Sequence, residues 1–243
     1  MNNLSLISLY GLVAGMIGTT LGGFIGSYLN ITTKKFLGFI LEFAAGLMMA
    51  IICFNLIPES LKITNISLTV LGVLAGILAM IFCSKTVDNS KLFNSNNSSL
   101  LKSGIIIAIG IALHNLPEGL AIGAGFESSS SLGFSLALAI AIHDIPEGIS
   151  VALPLKSSGF STFKSIFITA LSGLTTAIGA IIGALISKIS TIFIGLSLSF
   201  AAGAMLYIIS CELIPESKSL YKGRFASFGN IIGIILGLIS NAL

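Results

Sequence analysis

Charged residues are scarce in this chain: twelve Lys or Arg and nine Asp or Glu among 243 residues, 9% in all, where a soluble domain carries about a quarter. That scarcity excludes an ordinary water-soluble fold. The three cysteines, Cys53, Cys83 and Cys211, fall singly within apolar stretches and show no CxxC spacing, so a disulfide framework is not expected. The net charge of +3 is spread over short connectors instead of forming a basic patch, which leaves no place for nucleic acid as a partner. Histidine is nearly absent: there are two, and both fall in one repeated phrase.

What the chain does have is apolar length. It is 55% hydrophobic with a mean hydropathy of +1.06. A bilayer-spanning helix needs roughly 20 apolar residues, and eight runs of that kind can be marked, at about 6–28, 36–57, 66–84, 103–126, 131–155, 163–187, 190–213 and 225–242. The first has no basic leader and is long for a signal-peptide core, so a retained span is expected. The reading is an all-α membrane protein, a single transmembrane domain over 1–243, with the lipid bilayer as its surroundings.

Basic residues orient it. With eight spans, one side receives Lys34, Lys35, Lys85, Lys91, Lys102, Lys156, Lys164, Lys218, Lys222 and Arg224, the other only Lys62 and Lys188. Cytoplasmic connectors carry such an excess. Both termini are therefore expected outside, and the Asn/Ser-rich connector "SKTVDNSKLFNSNNSSLLKS" inside, polar and without histidine.

Two echoes run through the sequence. "HNLPEG" at 114–119 returns as "HDIPEG" at 143–148 in the next span, and "FAAGLMMAIICFNLIPES" from Phe43 returns as "FAAGAMLYIISCELIPES" from Phe200, identical at 12 of 18 positions with an offset of 157. Each pair sits an odd number of spans apart, so its two copies cross the membrane in opposite senses. The expectation is an inverted repeat, relating spans one to four with eight to five, as in many secondary transporters.

Within the apolar runs lie acids that need a counter-charge: Glu118, Asp144, Glu147 and Glu212, with no Lys or Arg beside them. An ionised side chain at the bilayer centre costs about 2.5 to 3.5 kcal/mol, so protons, water or a cation must offset them. His114 and Glu118 are four apart, as are His143 and Glu147, which puts each pair on one helix face with Cβ atoms about 5 to 6 Å apart. Face to face, the two copies would offer two His and two Glu to one ion, with Asn115 and Asp144 about 100° further round each helix. Pro117 and Pro146 each lack the N–H that would bond the carbonyl four residues back, of Leu113 and Ile142, which loosens the helices at this point. Asn55 and Glu212, with Glu59 and Glu216 one turn on, are expected along an entrance and an exit.

These motifs resemble those of the ZIP family of divalent-metal transporters, and the resemblance extends over essentially the whole chain: eight spans, an inner connector between the third and fourth, and HNxPEG and HDxPEG in the fourth and fifth. It implies carriage of zinc, iron, manganese or a related ion into the cytoplasm across the plasma membrane. It also implies that His114, Asn115 and Glu118 with His143, Asp144 and Glu147 are metal ligands, in two adjacent sites bridged by carboxylates. Two departures stand out. Thr176, in "LSGLTTAIG", occupies the place of a sixth-span Glu in many relatives, and their long His-rich inner connector is missing.

The reading is a transporter of a divalent transition-metal ion working by alternating access, with no resident cofactor and no enzymatic role; a homodimer is compatible with it. Imidazole and carboxylate suit Zn²⁺, Fe²⁺, Mn²⁺ and Co²⁺ better than Mg²⁺ or Ca²⁺, and binding should weaken in acid. Two other readings stand beside it. An intramembrane zinc-dependent hydrolase could use HxxxE ligands but would want HExxH, which is missing. A proton- or sodium-coupled carrier of an organic solute could use the same acids for coupling.

Overall fold

Runs this apolar must satisfy every backbone N–H and C=O within themselves, and the α-helix is the form that does so in a single segment. The computed structural model describes residues 3–28, 33–88, 100–157 and 159–242, and it is all-helical, with no strand among the described residues. In chain order the elements are α1 (Asn3–Tyr28), α2 (Lys34–Ile51) continuing through a π turn (Ile52–Leu56) into α3 (Ile57–Ile63), α4 (Ile66–Asp88), α5 (Leu100–Ser128), α6 (Ser130–Ser157), α7 (Thr162–Ser172) and α8 (Leu174–Ser187). Then come α9 (Thr191–Ile208), a second π turn (Ile209–Leu213), α10 (Ile214–Leu220) and α11 (Arg224–Ala242).

Among the described residues, six stretches are long and apolar enough to cross a membrane: Leu4–Tyr28, Lys34–Ile63, Ile66–Lys85, Ser130–Leu153, Thr162–Ser187 and Thr191–Leu220; Arg224–Ile239 is apolar but shorter. The middle of the polar connector, residues 89–99, lies outside the described residues. Large apolar side chains project from the outer faces, among them Leu74, Leu78 and Phe82 of α4 and Phe163 and Phe167 of α7, as helices facing lipid require.

Three local features differ from the expected spans. The second and seventh do not stop near residues 57 and 213 but run on to Ile63 and Leu220, because each takes its proline just after a π turn. There Ile57 N–H reaches back five residues to the Ile52 carbonyl, as Ile214 does to Ile209, and Pro58 and Pro215 fall in the first turn of the next helix, where no N–H is needed. The sixth span is not continuous but is broken at Gly173. The turn between α5 and α6 shrinks to Ser129, whose hydroxyl accepts from Leu132 N–H at 3.1 Å.

The packing corrects the expected relation of spans one to four with eight to five. α1 packs along α6 as α5 packs along α8, and α2 packs along α11 as α4 packs along α9. The offset of 157 between the two long echoes, carried along the chain, would pair the first span with the sixth and the third with the eighth. Individual bonds follow that offset. Ser60 Oγ donates to the Gly195 carbonyl at 2.8 Å, and Ser217 Oγ donates to the Gly38 carbonyl at 2.9 Å. Close approaches follow it as well: a methyl group on Gly22 would collide with the Ile145 carbonyl, and one on Gly179 with the Leu116 carbonyl.

Candidate metal centre

With only Ser129 between them, α5 and α6 fold back on each other, and the two repeated phrases meet in the interior. Pro117 lies inside α5, and both helices stay continuous through their prolines. Gly148 and Gly119 follow at once in the phrases, and each lets a neighbour in: a methyl on Gly148 would strike the Thr19 carbonyl of α1, and one on Gly119 the Thr176 carbonyl of α8. The fourth and fifth spans are thereby wrapped by the first and sixth.

At the centre of this wrapping stand Glu118, His143, Asp144 and Glu147, all buried, each offering a ligand atom within 4.8 Å of the other three. His143 Nε2 lies 2.9 Å from Glu118 Oε1 and 3.2 Å from Glu147 Oε1. Residues 3–28, 103–155 and 165–187, which supply the surrounding helices, contain no Lys or Arg. Three carboxylates and an imidazole are an apt donor set for a borderline divalent cation. Bonds of about 2.0 to 2.2 Å put two ligands of one zinc ion at most about 4.4 Å apart, so the observed spacing is close to an ion's width.

Of the remaining expected ligands, Asn115 is fully buried, and its amide nitrogen donates to the Ser172 carbonyl at 3.1 Å, at the break in the sixth span. The side chain of His114 lies outside the described part of α5. The four residues expected along a pathway are not in the central cluster. Asn55 and Glu212 sit half-buried in the two π turns, and Glu216 is exposed. Glu59 accepts from Ser128 Oγ at 2.6 Å and pairs with Lys62 Nζ at 3.1 Å.

Two features escaped the sequence reading. Glu42, within the second span but not singled out there, is buried and pairs with Lys218 Nζ at 2.6 Å, a structural ion pair. The Ser172 carbonyl becomes available only because the helix breaks after it. The sole sequence hint was the Ser-Gly of "LSGL".

Comparison with known proteins identifies the family. The family model described as ZIP Zinc transporter matches residues 94–243. "Zinc transporter ZupT" of Clostridium perfringens is 32% identical over 99% of this chain and 96% of its own length, and the protein of that name from Streptococcus mutans is 32% identical over 92% of each. "Zinc transporter GufA" of Myxococcus xanthus is 41% identical over 138 residues, a match that spans about half the length of that relative, 54%, and 56% of this chain. A family match over more than half of the chain, and a relative aligned almost end to end, place this multi-pass membrane protein in the ZIP family of zinc transporters.

Proposed function

We propose that this protein carries a divalent transition-metal ion, zinc in the first instance, from outside the plasma membrane into the cytoplasm. The ion is held midway by His114, Asn115 and Glu118 of α5 and His143, Asp144 and Glu147 of α6. The observation that carries this reading is the buried quartet of Glu118, His143, Asp144 and Glu147, set among helix stretches, residues 3–28, 103–155 and 165–187, that contain no Lys or Arg. Left alone it would concentrate negative charge where each ionised group costs about 2.5 to 3.5 kcal/mol; a dication offsets it. The names of the relatives favour zinc, and the inward direction and outer termini rest on the ten-to-two distribution of basic residues between the connectors.

The pathway is an inverted repeat in which spans one to three correspond to six to eight, and the fourth to the fifth. Glycine packing supports two bodies that move against each other. Close glycine approaches join α1 to α6 and α5 to α8, and others join α2 to α11 and α4 to α9, while among the described residues none links a helix of the first set to one of the second. Where α5 meets α9 and α2 meets α6, no such lock exists, and sliding costs side-chain contacts alone. The first body carries the ion; moving it against the second exposes the site to one side and then the other.

Family membership sets the hydrolase reading aside. The experiment that tests the proposal is ⁶⁵Zn²⁺ uptake into proteoliposomes containing the purified protein and no organic solute. Concentrative or gradient-driven uptake that Glu147→Ala abolishes is the expected result. Parental uptake by a folded Glu147→Ala protein would sink the site assignment, and uptake that needs an organic solute would favour the carrier reading.

A further inference from the structure

Hydrogen bonding in the sixth span changes register at Ser172. In an unbroken helix the Thr176 N–H would bond the Ser172 carbonyl; here it bonds the Gly173 carbonyl at 3.3 Å, and the Gly173 N–H turns back to Ala170 at 3.1 Å. The Ser172 carbonyl is thus released from the helix. It accepts two side-chain donors instead, Thr175 Oγ1 at 2.8 Å and Asn115 Nδ2 at 3.1 Å.

A carbonyl oxygen can only accept. The Asn115 amide must therefore turn its NH₂ end to Ser172, which fixes chemically an orientation that an amide's shape leaves ambiguous. Its other end, Oδ1, is buried and has no hydrogen-bond partner among the described residues. A buried amide oxygen without a donor is costly, about 1 to 3 kcal/mol, unless a cation takes its lone pairs. The first span keeps the break from relaxing, since a methyl on Gly173 would strike the Gly15 carbonyl and Thr19 Oγ1.

We propose that the Ser172 carbonyl is a positioning group for the transported ion: it holds the Asn115 nitrogen so that Oδ1 remains as a neutral oxygen ligand, and it dictates Asn, not Asp, at position 115. An aspartate there would set a carboxylate oxygen against a carbonyl oxygen at hydrogen-bond distance, two acceptors with no proton between them. The same position in the other phrase is Asp144, so the two halves of the site differ in charge by one because of a backbone break in a third helix. This inference rests on the reading of the site as a metal-transport site.

The test is equilibrium binding of Zn²⁺ to the purified full-length protein at fixed pH, with metal-free thermal stability recorded for each variant. Charge alone would make Asn115→Asp a tighter site. The positioning role predicts about tenfold weaker binding, the scale seen when a supporting partner of a metal site is lost, with Asn115→Asp no better than Asn115→Ala. In uptake, Asn115→Asp should raise KM more than it lowers the maximal rate. Asn115→Asp binding as tightly as the parent or tighter overturns the inference, and so does parental affinity in Asn115→Ala.

If Asn115→Asp does not fold, Thr175→Val serves. It removes the other donor, leaves Asn115 on Ser172, and should keep parental affinity; a tenfold loss would show that Thr175, and not Asn115, organises the carbonyl. The proposed function fails separately, when the parent itself neither binds nor moves Zn²⁺, or when Glu147→Ala binds like the parent.

Discussion

Nε2 of His143 lies 2.9 Å from Oε1 of Glu118, so an imidazole of the fifth span and a carboxylate of the fourth converge on one buried point. Neither group gains from apolar surroundings by itself. On the proposed function, a dication held among these groups offsets the carboxylates.

Removing a ligand should therefore cost function and not fold. Glu147→Ala is expected to weaken Zn²⁺ binding by at least about 100-fold, the upper end of what loss of a supporting partner alone costs, and to abolish uptake; His114→Ala should severely impair it. Because a buried carboxylate is costly in the empty protein, the metal-free melting temperature of Glu147→Ala should equal or exceed the parent's. Binding isotherms together with melts in detergent check both halves.

Occupancy should be nearer one ion than two. A second dication would repel the first, and the resemblance implies that Thr176 stands where many relatives have a sixth-span Glu. The sequence alone would make Thr176→Glu a way to restore a second site, but the structure argues against it. Thr176 is fully buried, its hydroxyl lies against Gly15, where not even a methyl group fits, and a longer side chain has no room. Overpacking of this kind costs about 1 to 3 kcal/mol, so Thr176→Glu should melt earlier without binding a second ion. Zn²⁺ titration of parent and variant decides it, with two tight ions in the parent as the refuting result.

Acid should weaken binding. Protons and metal compete for the lone pairs of the same imidazoles and carboxylates, and metal binding releases protons. Affinity measured down a pH series should fall, excess Zn²⁺ should restore occupancy, and proton release on zinc addition to a weakly buffered sample should be measurable. Affinity independent of pH would contradict a His- and carboxylate-built site.

The hydroxyl anchors outside the site should matter little. Ser217→Ala deletes one interhelical hydrogen bond, to the Gly38 carbonyl, and Ser60→Ala deletes two, to the Gly195 carbonyl and to Thr69 Oγ1 at 3.1 Å, each worth about 0.6 kcal/mol on average in a membrane protein. Small losses of thermal stability are expected, the larger in Ser60→Ala, with zinc affinity unchanged. A fall in zinc affinity in either variant would show that these anchors reach the site.

Much of this architecture was legible in the sequence because hydrocarbon imposes simple demands. Long apolar runs had to be helices, and His143, Asp144 and Glu147 stood out against them, as did Glu118. What stayed hidden depended on contacts between distant segments. The break at Gly173 leaves hydropathy untouched and contains no proline, so only the Ser-Gly of "LSGL" hinted at it; Gly15 and Thr19 of the first span pass close beside it. The pairing of Glu42 with Lys218 joins residues 176 apart along the chain, which no local pattern marks. The pairing of spans one to four with eight to five came from treating inversion in the membrane as reversal along the chain, whereas the Ser60 and Ser217 bonds obey a constant forward offset.

The two π turns make chain length itself a functional property. Each holds one residue more than an α-helix would use, with an N–H reaching back five residues in place of four. One surplus residue rotates everything after it by about 100° about the helix axis. Deleting any residue between Ile52 and Leu56 would thus leave composition and hydropathy nearly as before, yet it would swing Ser60 away from Gly195 and carry Glu59 off Ser128. A shortening that a surface loop absorbs acts here as a twist. The distance along the chain from Phe43 to Ser60 is held as firmly as the identity of any ligand, which is why its counterpart from Phe200 to Ser217 aligns with it without a gap.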